Sequence, residues 1–188
     1  EIWKSFRVGT RAEPDDVKLE DEEKYVRFQG KHNGFAKQGN RVFHHRDIYF
    51  VEELFWMVLD RITGKGNHAA NSFIHLHPNT DLIKEEAAFL AHKSDYTLGI
   101  FPFGQDSTKV ENGFYCPSFG EKYENDVINL SKQDDLPMTF GYLLTPSGKF
   151  ELKKSEIRQE DSIELTVNNE NKQIGIFIKD GELSVEYL

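Results

Sequence analysis

The sequence predicts an all-β chain, an antiparallel β-sandwich of the supersandwich or jelly-roll kind with few or no helices. Three observations carry that reading. Apolar and polar residues alternate with a period of two along most of the chain. Aromatic residues reach 13%, led by 15 Phe and 7 Tyr against two Met, a weighting that favours strands. Turn residues recur at hairpin spacing, among them Asp180-Gly181, a dipeptide suited to the positive φ angles of a two-residue hairpin turn.

The elements follow in order. Residues 24–28 alternate behind an acidic turn, Glu20-Asp21-Glu22-Glu23, as a half-buried strand does. Two longer runs, 41–51 and 54–62, flank Glu52-Glu53, which reads as the polar turn of an antiparallel hairpin. The cluster Gly64-Lys65-Gly66-Asn67 reads as the next turn, and a strand over 72–77 stops at Pro78. The Glu- and Ala-rich stretch 82–92 has the propensity of a helix among strands. Strands over 97–103 and 137–144 lead to three more at 162–167, 173–179 and 182–188. Those three are joined by Asn168-Asn169-Glu170-Asn171 and by Asp180-Gly181. No repeat, low-complexity tract or linker divides the chain, so residues 1–188 are read as one domain, with the aromatic surplus filling the space between two sheets.

A composition of 38% hydrophobic and 29% charged residues is that of a globular chain. A net charge of −9 leaves no broad basic field, which argues against nucleic acid as a partner. Cys116 is the only cysteine, so neither an internal disulfide nor a cysteine-rich metal site is available. As a lone Cys among aromatics it is expected to be packed and inert. The apolar run Phe55-Trp56-Met57-Val58-Leu59 is far too short to span a bilayer. Glu1-Ile2-Trp3-Lys4 carries neither an initiator Met nor an apolar signal region, which reads as the start of a fragment of a longer protein.

Seven histidines and Asp60 are the most informative polar residues. His44 and Asp60 lie on the two arms of the hairpin about Glu52-Glu53, within about one rung of each other. His75 and His77 share one face of the following strand. A trio of His44, Asp60 and His75 with a water would suit zinc. A simple hairpin through residues 64–67 sets His75 some three rungs from Asp60, so closing that trio requires a bulge or a wider loop. The competing reading makes these histidines ordinary hydrogen-bonded strand residues. Arg46 and Asp47 can pair on their strand as surface charges do. No Gly-rich phosphate loop or serine nucleophile elbow is present.

The ordered set His44-His45-Arg46, Phe55 to Arg61, Gly64-Lys65-Gly66-Asn67-His68 and Phe73-Ile74-His75-Leu76-His77-Pro78 resembles the C-terminal β-sandwich domain of heparinase II/III-like proteins. The opening Ile2-Trp3-Lys4-Ser5-Phe6-Arg7 and the segment Gly113 to Gly120 are similar to parts of the same domain. The resemblance implies bacterial polysaccharide lyases and their relatives, in which an N-terminal helical toroid packs on the sandwich with the cleft between them. It implies β-elimination on a uronic-acid-containing polysaccharide, with the central catalytic residues in the toroid. It also implies a structural zinc held by His44, Asp60 and His75, with His77 as the alternative third ligand. A periplasmic or cell-envelope location goes with it.

One departure bears on activity. The family's lyases hold a catalytic His two residues before the first metal ligand, and here that position is Val42, which transfers no proton. No catalytic residue is therefore assigned, and the fragment alone is expected to be inactive. Two alternatives stand beside the accessory-domain reading: a non-catalytic carbohydrate-binding or structural sandwich, and a metal-dependent hydrolase with an open site at His44, Asp60 and His75. Local contact with an acidic sugar would fall to arginines such as Arg41, Arg46 and Arg61.

Overall fold

The computed structural model describes residues 2–4, 7–8, 11–38, 41–146, 150–159, 162–169 and 172–188. The strands in chain order are β1 (Ile2–Lys4), β2 (Arg7–Val8), β3 (Pro14–Asp21), β4 (Val26–His32), β5 (Phe43–Val51), β6 (Phe55–Thr63) and β7 (Asn67–His75). There follow β8 (Asp81–Lys84), β9 (Phe89–Lys93), β10 (Tyr96–Phe103), β11 (Ser107–Tyr115) and β12 (Tyr123–Asp135). The last five are β13 (Met138–Thr145), β14 (Phe150–Gln159), β15 (Ser162–Asn169), β16 (Lys172–Lys179) and β17 (Glu182–Tyr187). One 3-10 turn at Ala36–Gln38 is the only helical element among the described residues.

Apart from the short β1-β2 pair, the strands form three antiparallel sheets: an eight-stranded one ordered β3-β4-β5-β6-β13-β10-β9-β8, a three-stranded one ordered β11-β12-β7, and a four-stranded one ordered β14-β15-β16-β17. Alternation along the strands decides how they stack. Tyr49, Val51, Phe55, Met57, Leu59, Phe101 and Leu143 leave one face of the large sheet and share a core with Ile163, Leu165, Val167, Ile174, Ile176 and Ile178 of the four-stranded sheet. Ile62, Ile100, Met138 and Phe140 leave the other face and share a second core with Ile128 and Leu130 of the three-stranded sheet. The large sheet is thus the middle of three layers. The sequence suggested two sheets; the third exists because both faces of β6 and β13 are apolar, as their near-continuous burial shows.

Two local features fix the register. The β5–β6 turn closes through Leu54 N–H to Val51 C=O at 3.1 Å, with Glu53 at φ 62°. A Cβ at Gly141 would collide with the Val58 carbonyl oxygen, so only glycine lets β13 lie so close to β6. At the far side, the β16–β17 turn is anchored to the middle layer by the Tyr49 hydroxyl donating to Gly181 C=O at 3.0 Å.

Most expected strands are present, with ends moved by a few residues. Stretch 82–92 is a correction: it forms the hairpin of β8 and β9 rather than a helix. Phe89 and Ala91 alternate into the second core, and that burial outweighs helix propensity. The turn at 64–67 does not close a hairpin either. Both edges of β6 are taken, by β5 and β13, so β7 leaves the sheet and pairs with β12 in the next layer. Of the expected turn at 168–171, residues 170 and 171 lie outside the described residues.

Candidate functional site

Cross-strand register builds the site. His44 stands opposite Ile62, and Arg46 stands opposite Asp60, so the side chains of His44, Arg46 and Asp60 share the face of the middle sheet that looks toward β7. Asp60 is 1% exposed. Its Oδ1 accepts from His44 Nε2 at 2.6 Å and from Arg46 Nε at 2.7 Å. Its Oδ2 accepts from Arg46 Nη2 at 2.7 Å and from the Ser72 hydroxyl of β7 at 2.9 Å. The Arg46 fork is therefore bidentate, the strongest common arrangement for this pair.

A relay of rings leads away from the carboxylate. Neutral imidazoles satisfy every contact in one direction: Gly34 N–H donates to His32 Nδ1 at 3.2 Å, His32 Nε2 to His44 Nδ1 at 3.1 Å, and His44 Nε2 to Asp60. Burial foremost, with the Arg46 charge, lowers the His32 pKa, which suits that neutral role. Burial pushes the Asp60 carboxyl up, but hydrogen bonds from His44 and Arg46 and the Arg46 charge outweigh it and leave its pKa at about 2. The hydrogen bond to Asp60 raises that of Arg46 in turn. Burial also raises the Tyr142 phenol nearby.

A cavity of about 440 Å³ opens beside this centre. Its polar lining is His44, Arg46, Asp60, His68 and Asn71, its apolar lining includes Val42, Ile62, Met138 and Phe140, and Phe35 and Phe73 also line it. Phe73 is 52% exposed and Val42 only 6%. β7 is an edge strand of its sheet, and it supplies His68, Phe73 and, through Ser72, a bond to Asp60.

Of the residues expected as metal ligands, the structure brings His44 and Asp60 together and leaves His75 apart. His75 is exposed, pairs with Val127, and sits an odd number of residues from Ser72, hence on the opposite face of β7. His77 lies beyond the strand, where it contacts Lys93 and Pro78 C=O and its ring lies 5.0 Å from that of Tyr115. Among the described residues no three His, Cys, Asp or Glu side chains converge to hold a metal ion. The donor set does not fit zinc, because all the lone pairs of Asp60 are already engaged.

The arginines expected to act together are separated. Arg46 faces Asp60, whereas Arg61 pairs with His45 on the other face, and Arg41 is exposed ahead of β5. His45 contacts Thr63 Oγ1 at 3.2 Å, and burial with the charges of Arg61 and Lys31 lowers its pKa. Cys116 is exposed rather than packed. Sequence reasoning missed Arg46 and Ser72 as partners of Asp60. The signal for Arg46 was its spacing of two from His44, which puts both on one face; for Ser72 there was none, since β7 belongs to another sheet.

Fold and site together define a three-layer antiparallel β-sandwich with a cation-bearing cavity on one face of its middle sheet. The chain belongs to the family described as Heparinase II/III-like, C-terminal, which matches residues 1–175. Solved structures agree on the fold. The "Heparinase III-BT4657 gene product" is 17% identical with a TM-score of 0.70 over 90% of this chain and 28% of its own. The heparan sulfate lyase HepC from Pedobacter heparinus is 14% identical with a TM-score of 0.66, covering 95% and 28% respectively. A further structure titled heparinase III is 12% identical, TM-score 0.62, covering 94% and 27%. The chain thus spans under a third of these proteins. No curated protein matches it.

Proposed function

We propose that this chain is the accessory sandwich of a heparinase II/III-like protein acting on uronic-acid-containing polysaccharide by β-elimination, and that the chain alone is inactive. The observation that carries this reading is the cavity beside Asp60, lined by cationic and imidazole groups and by Phe35 and Phe73. β-Elimination needs a base for the proton α to the sugar carboxylate, a positive group that makes that proton acidic, and an acid for the leaving oxygen. Arg46, whose side chain is 40% exposed, and His68 suit contact with a sugar carboxylate. Val42, a buried residue of the cavity lining, supplies no proton transfer where the family's lyases hold a histidine. The base and acid therefore come from a helical domain that closes over this face in the whole protein, as the family resemblance implies.

The test is ultraviolet detection of unsaturated uronate from heparin, heparan sulfate and alginate. The 188-residue chain is expected to give no turnover, and clear turnover by it would reject the accessory role. A second reading, a non-catalytic carbohydrate-binding sandwich, is favoured by Trp56, which is 48% exposed and packs at a tilt of 34° against Phe50 with ring centroids 4.4 Å apart. Saccharide binding lost on Trp56→Ala but kept on Phe73→Ala would select it.

A further inference from the structure

We infer that Arg46 is the resident cation of the Asp60 centre, so that a guanidinium does here what a bound metal ion would do and the centre is metal-independent. An ionised carboxylate offers about four lone-pair sites. All four are taken, by His44 Nε2, Arg46 Nε, Arg46 Nη2 and the Ser72 hydroxyl, at 2.6 to 2.9 Å. A divalent ion binding Asp60 would have to displace the fork and forfeit both of its charge-assisted hydrogen bonds at a carboxylate that is 1% exposed.

The planar fork also matches what the fold needs. It neutralises the one buried carboxylate of β6 from the adjacent β5, and a longer contact of 3.3 Å carries Arg46 Nη2 on to Ser72 Oγ in the next layer. Two strands of the middle sheet and the edge strand β7 are thereby tied at one point. A lysine would place a point charge there without the second parallel bond. Arg46 is thus a positioning residue: it holds Asp60, which holds the His44 ring at the cavity wall. This inference stands whether or not the cavity binds a saccharide.

The experiment combines elemental analysis with thermal unfolding of the 188-residue chain, purified without chelator. The wild-type chain is expected to carry less than about 0.1 zinc, calcium or manganese per chain, and its Tm is expected to move by less than about 1 °C with EDTA or added ZnCl2. Arg46→Ala is expected to lower Tm by about 6 °C or more. Millimolar ethylguanidinium should recover part of that loss, whereas ethylammonium at equal concentration should not. About one tightly held metal per wild-type chain, with Tm falling on chelation, would overturn the inference. An Arg46→Ala chain as stable as wild type would overturn it too. The metal measurement on the wild-type chain decides the matter even if the variant fails to fold.

Discussion

Replacing Asp60 by asparagine changes one oxygen to an amide and removes one charge, at nearly constant volume, from a side chain with 2% of its area exposed. The consequences are concentrated. The amide nitrogen of the new side chain donates where Arg46 Nε and His44 Nε2, or Arg46 Nη2 and Ser72, also donate, so at least one donor pair loses its acceptor. The Arg46 charge is left without its counter-ion. Arg46 is 40% exposed, so water offsets part of that loss, and the cost falls to about 2–3 kcal/mol, the scale of hydrogen bonds to a charged group. The lowering of the Asp60 pKa from 3.8 to about 2 sets a consistent scale, since that shift is worth about 2.5 kcal/mol in favour of the charged form. Urea unfolding followed by tryptophan fluorescence should therefore show a loss of about 2–3 kcal/mol with an unchanged m-value. The paired change Arg46→Met with Asp60→Leu should recover most of it, because no unpaired charge remains. A loss under about 1 kcal/mol for Asp60→Asn would refute the reasoning, since that is the scale of an exposed pair.

Three other outcomes follow from the same structure. Gly141→Ala places a methyl against the Val58 carbonyl oxygen and the Phe103 ring, and should cost about 3 kcal/mol or more in urea unfolding. Tyr49→Phe removes the hydroxyl bond to Gly181 C=O and should cost about 1 kcal/mol, with hydrogen exchange rising first in the β16–β17 hairpin. Gly181→Ala strains a backbone at φ 85° and drives its methyl toward the Arg27 guanidinium; a cost of about 1–2 kcal/mol is expected from thermal or urea unfolding.

The β5–β6 hairpin was legible in the sequence because both arms alternate and Glu52-Glu53 marks the turn. Its loop is in fact one residue longer, with Leu54 included, and that residue matters: a one-residue slip would send His44 and Asp60 to opposite faces. The C-terminal strands were legible for the same local reasons. What local pattern cannot carry is pairing between distant segments. β7 meets β12 more than 50 residues downstream, so its departure from β6, and with it the placement of Ser72 on Asp60 and of His75 away from it, was invisible. β12, thirteen residues long, escaped because its ends are charged and only its middle is buried. The helix suggested for 82–92 failed where Phe89 and Ala91 had a core to fill.

The most direct test of the account is a titration of the ¹⁵N-labelled chain with a size-defined uronic-acid oligosaccharide, read by amide shifts. Saturable shifts are expected at His44, His68 and Phe73 around the cavity, with binding weakened about fivefold or more by Phe73→Ala. The absence of saturable shifts there, or shifts confined to Phe50 and Trp56, would contradict it.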